Sequence, residues 1–135
     1  MRVYLAGPFS WKDALKTYSL ELNEMGIEVT SSWLDEEASP DSTLDQFSTE
    51  HNQKIANIDV ADIERADVVA VFTINPLGPP KPRGGRHWET GYAQGRGKEV
   101  IIIGPKENIF HYLDNVKQFD GRLEAKQYLY RRSVN

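Results

Sequence analysis

Two stretches, DVVAVF at 67–72 and EVIIIG at 99–104, run almost without a polar side chain. A strand with one wet face alternates apolar and polar residues, whereas a strand covered on both faces stays apolar throughout. The second habit belongs to central strands of a parallel sheet. Parallel neighbours must be joined by a crossover of a dozen residues or more, usually a helix. The rest of the chain supplies such crossovers. RVYLA at 2–6 reads as a short buried strand closed by Gly7 and Pro8. Ser10 is expected to open a helix with Asp13 as capping-box partner, Leu15, Tyr18, Leu22 and Met25 at helical spacing, and Gly26 as its stop. IEVTSSW at 27–33 alternates like a strand, and helices are expected at about 49–66 and 86–95. A short helix at 108–113, an edge strand at 116–119 and a closing helix at 121–131 complete the pattern. With no repeat and no internal boundary, residues 1–135 form one domain. The prediction is an α/β fold: a doubly wound, mostly parallel five-stranded sheet with helices on both faces, flavodoxin- or Rossmann-like.

Composition narrows the partners. A net charge of −4 argues against a sequence-independent binder of nucleic acid polymers, which needs a basic field. The absence of cysteine removes disulfides, thiol nucleophiles and thiolate metal sites. No stretch approaches the ~18 apolar residues of a membrane span, and MRVYLAG reads as a strand rather than a leader. A cytosolic protein acting on small molecules is expected, with no membrane and no nucleic acid polymer among its partners.

Ligands of open α/β sheets bind at the carboxyl ends of the strands, which points to the loops after residues 6, 33, 73 and 104. The segment INPLGPPKPRGG at 74–85, with four prolines and three glycines, cannot be regular structure. The acidic segment 35–47 reads as a solvated loop or a lid. On the 49–66 helix a step of about 100° per residue makes Ile55, Ala56, Ile58, Val60, Ile63 and Ala66 an apolar face. Asp59 projects from its middle, Asp62 lies near its edge, and Asn57 and Glu64 point away. A core-facing aspartate either pairs with an arginine or a loop, or holds a proton at raised pKa. Glu89 is expected in the first turn of its helix, where the macrodipole would favour its charge by about 0.3–1 kcal/mol. Its alternative is an ordinary first-turn glutamate. Gly84, Gly85 and Gly91 would give a ligand room beside it. A proton-holding acid paired with an ionised carboxylate is what glycosidic cleavage through a covalent intermediate requires. Asp67 reads as a turn residue. Lys81, Arg83, Arg86 and His87 suit either a solvated loop or a 5′-phosphate pocket, while Phe9, Trp11 and Trp33 suit the core or a stacked base. His51, His87 and His111 lack metal-ligand spacing, so no metal is expected.

Three motifs in order, VYLAGPF, IDVADIERADVVAVF and GGRHWETGYAQGRGKEVIII, make the chain resemble the nucleoside 2-deoxyribosyltransferase family and the related nucleotide N-glycoside hydrolases. The resemblance implies Glu89 as the nucleophile attacking C1′, Tyr4 as the tyrosine orienting it, and Asp59 as the carboxyl that contacts the base. It implies deoxyribosyl transfer between nucleobases, with two alternatives: a nucleoside 5′-monophosphate N-glycosidase using water, and a non-catalytic nucleotide-binding module. No cofactor is needed, and a homo-oligomer is implied, with Asn108 the candidate for completing a neighbour's pocket. The remaining substrate contacts expected are Gly7, Phe9 and Trp33, then Asp62, Gly85, Arg86 and His87. Members acting on free nucleosides tend to carry an aspartate six residues before the nucleophile, and the nucleotide hydrolases can carry a serine. Arg83 stands there instead, a cation suited to a 5′-phosphate.

Overall fold

The computed structural model describes residues 1–36, 46–73 and 84–135. Most of the acidic segment and of the proline-rich segment, including Lys81 and Arg83, lies outside the described residues.

The sheet has five strands in the order β2-β1-β3-β4-β5: β1 (Arg2–Ala6), β2 (Glu28–Val29), β3 (Val68–Phe72), β4 (Glu99–Ile103) and β5 (Val116–Phe119). Every pairing is parallel, so the sheet is more uniform than the mostly parallel one expected. All five residues of β3 are buried, as its apolar run demands. Helix α1 (Lys12–Glu24) and helix α4 (Arg122–Val134) pack together, where the Tyr18 hydroxyl donates to the Arg122 carbonyl at 3.2 Å. Helices α2 (Thr49–Arg65) and α3 (Gly85–Gly95) pack against each other. Right-handed crossovers put α1 on one face and α2 and α3 on the other, because the chain reverses direction across the sheet at β1.

Two local expectations fail for identifiable reasons. Strand β2 stops at Val29 instead of reaching residue 33, because side chains take over the ladder. Ser31 Oγ accepts from the Leu5 amide at 2.6 Å and donates to its carbonyl at 3.2 Å, and Trp33 Nε1 donates to that same carbonyl at 2.8 Å. A 3₁₀ turn at Ser32–Asp35 follows. The helix expected to open at Ser10 begins two residues later. Pro8 starts a 3₁₀ turn at Phe9–Trp11 first, so Ser10 and Asp13 form no capping box.

The apolar face predicted on α2 is also only partly core. Asp62 and Ile63 are its buried residues, Ile55, Ile58, Asp59 and Val60 are half-buried, and Ala56 is exposed. Length explains this. Seventeen helical residues span about 25 Å, whereas a five-residue strand spans about 17 Å. Helix α2 descends from the carboxyl edge of the sheet, so its first turns overhang that edge, and the face meant for the core borders the site.

Gly104, directly after β4, has φ 118, and a Cβ there would lie 2.6 Å from Thr73 Oγ1 and 2.8 Å from the Thr73 carbonyl oxygen. Neither neighbour can yield, since Thr73 also donates from its amide to the Ile103 carbonyl at 3.0 Å. Gly104→Ala is expected to cost about 2 kcal/mol or more. Urea denaturation reads this directly, and an unchanged midpoint would show that the backbone here relaxes freely.

Candidate active site

Tyr4 lies within β1, is 1% exposed, and points to the face covered by α2 and α3. Its hydroxyl donates to Glu89 Oε2 on α3. Because α3 begins at Gly85, Glu89 stands in its second turn, not the first. That position corrects the macrodipole argument, which decays within one turn. Burial instead pushes the Glu89 carboxyl up to about 7, the Tyr4 hydrogen bond opposes that rise, and the charge of Asp59 adds to it. The tyrosine is thus the main group holding the carboxylate charged. Burial, and then the neighbouring Glu89, hold the Tyr4 phenol far above its ordinary range, so it remains a donor.

Asp59 borders the same site from α2. Burial first, then the charges of Glu36 and Asp62, push it up to about 7. Its Oδ1 is buried and accepts no hydrogen bond from the described residues. An orphaned carboxyl oxygen of this kind costs free energy unless it is protonated or a ligand supplies a partner. Asp62, expected at the helix edge and as a substrate contact, is buried and occupied. It accepts from the Ser32 amide at 2.9 Å, from the Ser32 hydroxyl, and from Arg65 Nη2 at 2.8 Å. The arginine pairing open to Asp59 in sequence belongs to Asp62.

The basic residues divide similarly. Arg86 is buried and ion-paired with Glu107, so its guanidinium fork is not free for a phosphate as expected. His87 and Asn108 approach each other, with Asn108 Nδ2 3.4 Å from His87 Nδ1. Asn108 also caps a 3₁₀ turn by accepting from the Phe110 amide at 2.9 Å. Its Nδ2 also lies 3.4 Å from His111 Nε2, so within its own chain the side chain is surrounded by these partners. Trp33 is a core residue tied to β1, with the Phe9 ring centroid 6.0 Å away. A Cβ on Gly7 would lie 2.9 Å from Leu15 Cδ1, so this glycine answers to packing. A Cβ on Gly85 or Gly91 would meet nothing within 4 Å among the described residues. Asp67 accepts from the Arg2 amide at 2.9 Å, the turn role read from sequence. Among the described residues no three His, Asp or Glu side chains are grouped to hold a metal ion.

Two residues escaped sequence reasoning. Glu36 ends the 3₁₀ turn after β2, and burial raises its pKa while its charge bears on Asp59. Nothing separated it from the other acids of its segment. Glu107 is buried against Arg86, and only a partner distant in sequence reveals it.

The arrangement of strands and helices finds parallels. A model of the family described as nucleoside 2-deoxyribosyltransferase matches residues 3–123. Among solved structures, the chain is similar to a 2-deoxyribosyltransferase from the psychrotolerant bacterium Bacillus psychrosaccharolyticus. Identity is 23%, with a TM-score of 0.69 over 95% of this chain and 92% of that one. A CMP N-glycosidase of Clostridium botulinum is 23% identical, with a TM-score of 0.60 over 96% of this chain and 98% of that one. A conserved protein of Enterococcus faecalis is 13% identical, with a TM-score of 0.67 over 98% of both chains. At these identities the structural likeness is one of fold. A comparison with curated proteins finds no match. No helix among the described residues is long and apolar enough to cross a membrane.

The raised pKa of Glu89 fixes the sign of a stability effect. As pH rises from the ordinary value of 4.5 to about 7, the unfolded chain gives up this proton before the folded one does. The group therefore favours folding below that window, loses its contribution through it, and is a constant liability above it. Glu89→Gln, which still accepts from Tyr4, is expected to stabilise the fold on the order of 1–3 kcal/mol at pH 8 relative to its effect near pH 4.5. Denaturation curves at both pH values measure the difference. An effect independent of pH would contradict the burial of this charge.

Proposed function

The chain belongs to the nucleoside 2-deoxyribosyltransferase family, and from that premise we propose that it cleaves the N-glycosidic bond of 2′-deoxynucleosides or their 5′-monophosphates through a glycosyl-Glu89 intermediate. Membership makes it an enzyme of deoxyribosyl transfer or N-glycoside hydrolysis. The finer reading rests on one observation above the others: a half-buried Glu89 held at one oxygen by Tyr4, beside an Asp59 whose buried Oδ1 has no partner among the described residues.

In the first half of the reaction Glu89 Oε1 gives an electron pair to C1′. The C1′–N bond breaks, its electrons remain on the base, and Asp59 gives that base a proton. In the second half an acceptor, another base or water, attacks C1′, the Glu89 ester bond breaks, and Asp59 takes a proton back. Tyr4 favours the charged form of Glu89 and keeps Oε1 directed outward. Deoxyribosyl transfer to a nucleobase is the principal reading. Arg83, unlike the aspartate of members acting on free nucleosides, favours a second: a 5′-monophosphate substrate with water as acceptor. A non-catalytic nucleotide module loses ground because the arginine that would have made Asp59 structural pairs with Asp62. Assembly as a homo-oligomer is part of the same proposal. It is supported by Ile109, Phe110 and Tyr112, exposed at 74%, 65% and 66%.

The test is incubation with deoxynucleosides and their 5′-monophosphates, with and without a second free base, followed by chromatography. A new nucleoside formed only with added base indicates transfer, and base released from monophosphates alone indicates hydrolysis. Glu89→Ala should fold and lose turnover by orders of magnitude; wild-type rates from it would sink the mechanism. The required state, ionised Glu89 with protonated Asp59, gives a bell-shaped kcat/KM profile centred near neutrality, its two limbs belonging to the coupled pair. Tyr4→Phe removes a bond that favours the Glu89 charge, so its acid limb should move to higher pH. A limb left in place would remove Tyr4 from the mechanism.

A further inference from the structure

Arg86 and Glu107 meet across 21 positions of sequence, with side chains 3% and 7% exposed. The contact is a fork, in which Arg86 Nε donates to Oε1 at 3.2 Å and Nη2 donates to Oε2. Desolvating both charges offsets most of their attraction, so a buried pair of this kind adds little net stability. Fixing register is its best-attested use. The reaction proposed above employs neither charge.

The place of the fork explains why register needs fixing here. Helix α3 opens on two glycines, Gly84 in the left-handed region at φ 87, and its N-cap residue has no side chain to cap the first amides. Local geometry therefore leaves the rotation of the helix about its axis poorly set. Glu89 follows Arg86 by three residues, about 300° of turn, so the two share one flank. A carboxylate some ~6 Å from the axis moves by roughly 1 Å for every ~10° of rotation. A misplacement of that size can lower a rate about 10²-fold.

We infer that the Arg86–Glu107 fork is a positioning device that sets the rotation of α3 and so aims Glu89 Oε1, while Tyr4 holds Oε2. The inference rests on the reading of Glu89 as nucleophile. The loop bearing Glu107 is itself anchored. The Glu107 amide donates to His111 Nδ1 at 3.0 Å, and that ring is 2% exposed. Asn108, the next residue, reaches His87 beside Arg86. The connection after β4 thus clasps α3 at two successive residues of its first turn.

The variant Arg86→Met/Glu107→Leu removes both charges together and replaces them with apolar volume, which buried pairs tolerate. Arg86→Lys keeps the charge and loses the fork, so it reads the geometry should the double variant not fold. Both are compared with wild type by denaturation, by kcat and KM on the nucleotide or nucleoside turned over, and by hydrogen exchange of amides 85–90. The double variant should keep its midpoint, lose about 10–100-fold in kcat, hold KM within about twofold, and exchange faster over 85–90. Arg86→Lys should fall between it and wild type. A wild-type kcat in either folded variant overturns the inference. If the wild type turns over nothing, the functional reading fails on its own, and exchange decides the fork: faster exchange supports it and unchanged protection overturns it.

Discussion

Burying the Glu89 carboxyl against Tyr4 is the constraint to which the surrounding structure answers. A carboxylate removed from water is a liability unless something favours its charge, and here one phenol from the sheet does so. The tyrosine can serve only because β1 holds it in the middle of the sheet, 1% exposed, facing the helix that carries the acid. Strands β3 and β4 stabilise the region without contributing chemistry. Val68, Val69, Ala70 and Val71 are 0% exposed, and Ile101 and Ile102 equally so. A sheet this apolar can tolerate local strain at its carboxyl edge, which is where enzymes commonly give up stability for function.

The acids of the molecule sort by what answers their charge. Asp62 has Arg65, Glu107 has Arg86, and Glu64 has Arg96 together with the Tyr92 hydroxyl. The first pair lies within α2, whose Asp62 also accepts from Ser32 in the turn after β2, while the other two join α3 to the connection after β4 and α3 to α2. Asp59 and Glu89 have no cation in contact among the described residues, and both are displaced upward to about 7. The cations are spent on neighbours one turn away, as with Asp59 and Asp62. That distribution, more than the presence of carboxylates as such, marks the pair that a ligand would complete.

The strands of this fold were legible because an unbroken apolar run has one structural meaning in a chain of this length. The helices between them followed from spacing. What failed to show was competition from side chains. Nothing in IEVTSSW says that Ser31 and Trp33 will satisfy Leu5 and end the strand at Val29. Helical steps of 100° place Asp59 and Asp62 correctly relative to each other, but not relative to a sheet that one end of α2 overhangs. Arg86 read as a phosphate fork because its partner, Glu107, lies beyond a strand and a loop. The motif resemblance brought Tyr4, Asp59 and Glu89 forward together; their juxtaposition on three separate elements is a tertiary fact that periodicity does not contain.

That juxtaposition has a further physical consequence. Asp59 enters the site from α2 and Glu89 from α3, on the helices that lead into and out of β3. Their separation is therefore set by how α2 packs on α3, and only secondarily by either side chain. The seam between those helices is polar at its far end. Glu64 accepts from Tyr92 and from Arg96 Nε, and Lys98 Nζ donates to the Glu64 and Ala66 carbonyls at 2.8 and 2.7 Å. Hydrogen bonds, unlike apolar contacts, are directional, so a polar seam fixes sliding and rotation as well as distance. With the seam at one end and the Arg86–Glu107 fork at the other, α3 is held at two points along 11 residues. If Glu89 attacks C1′ as proposed above, both anchor points bear on where its carboxylate sits.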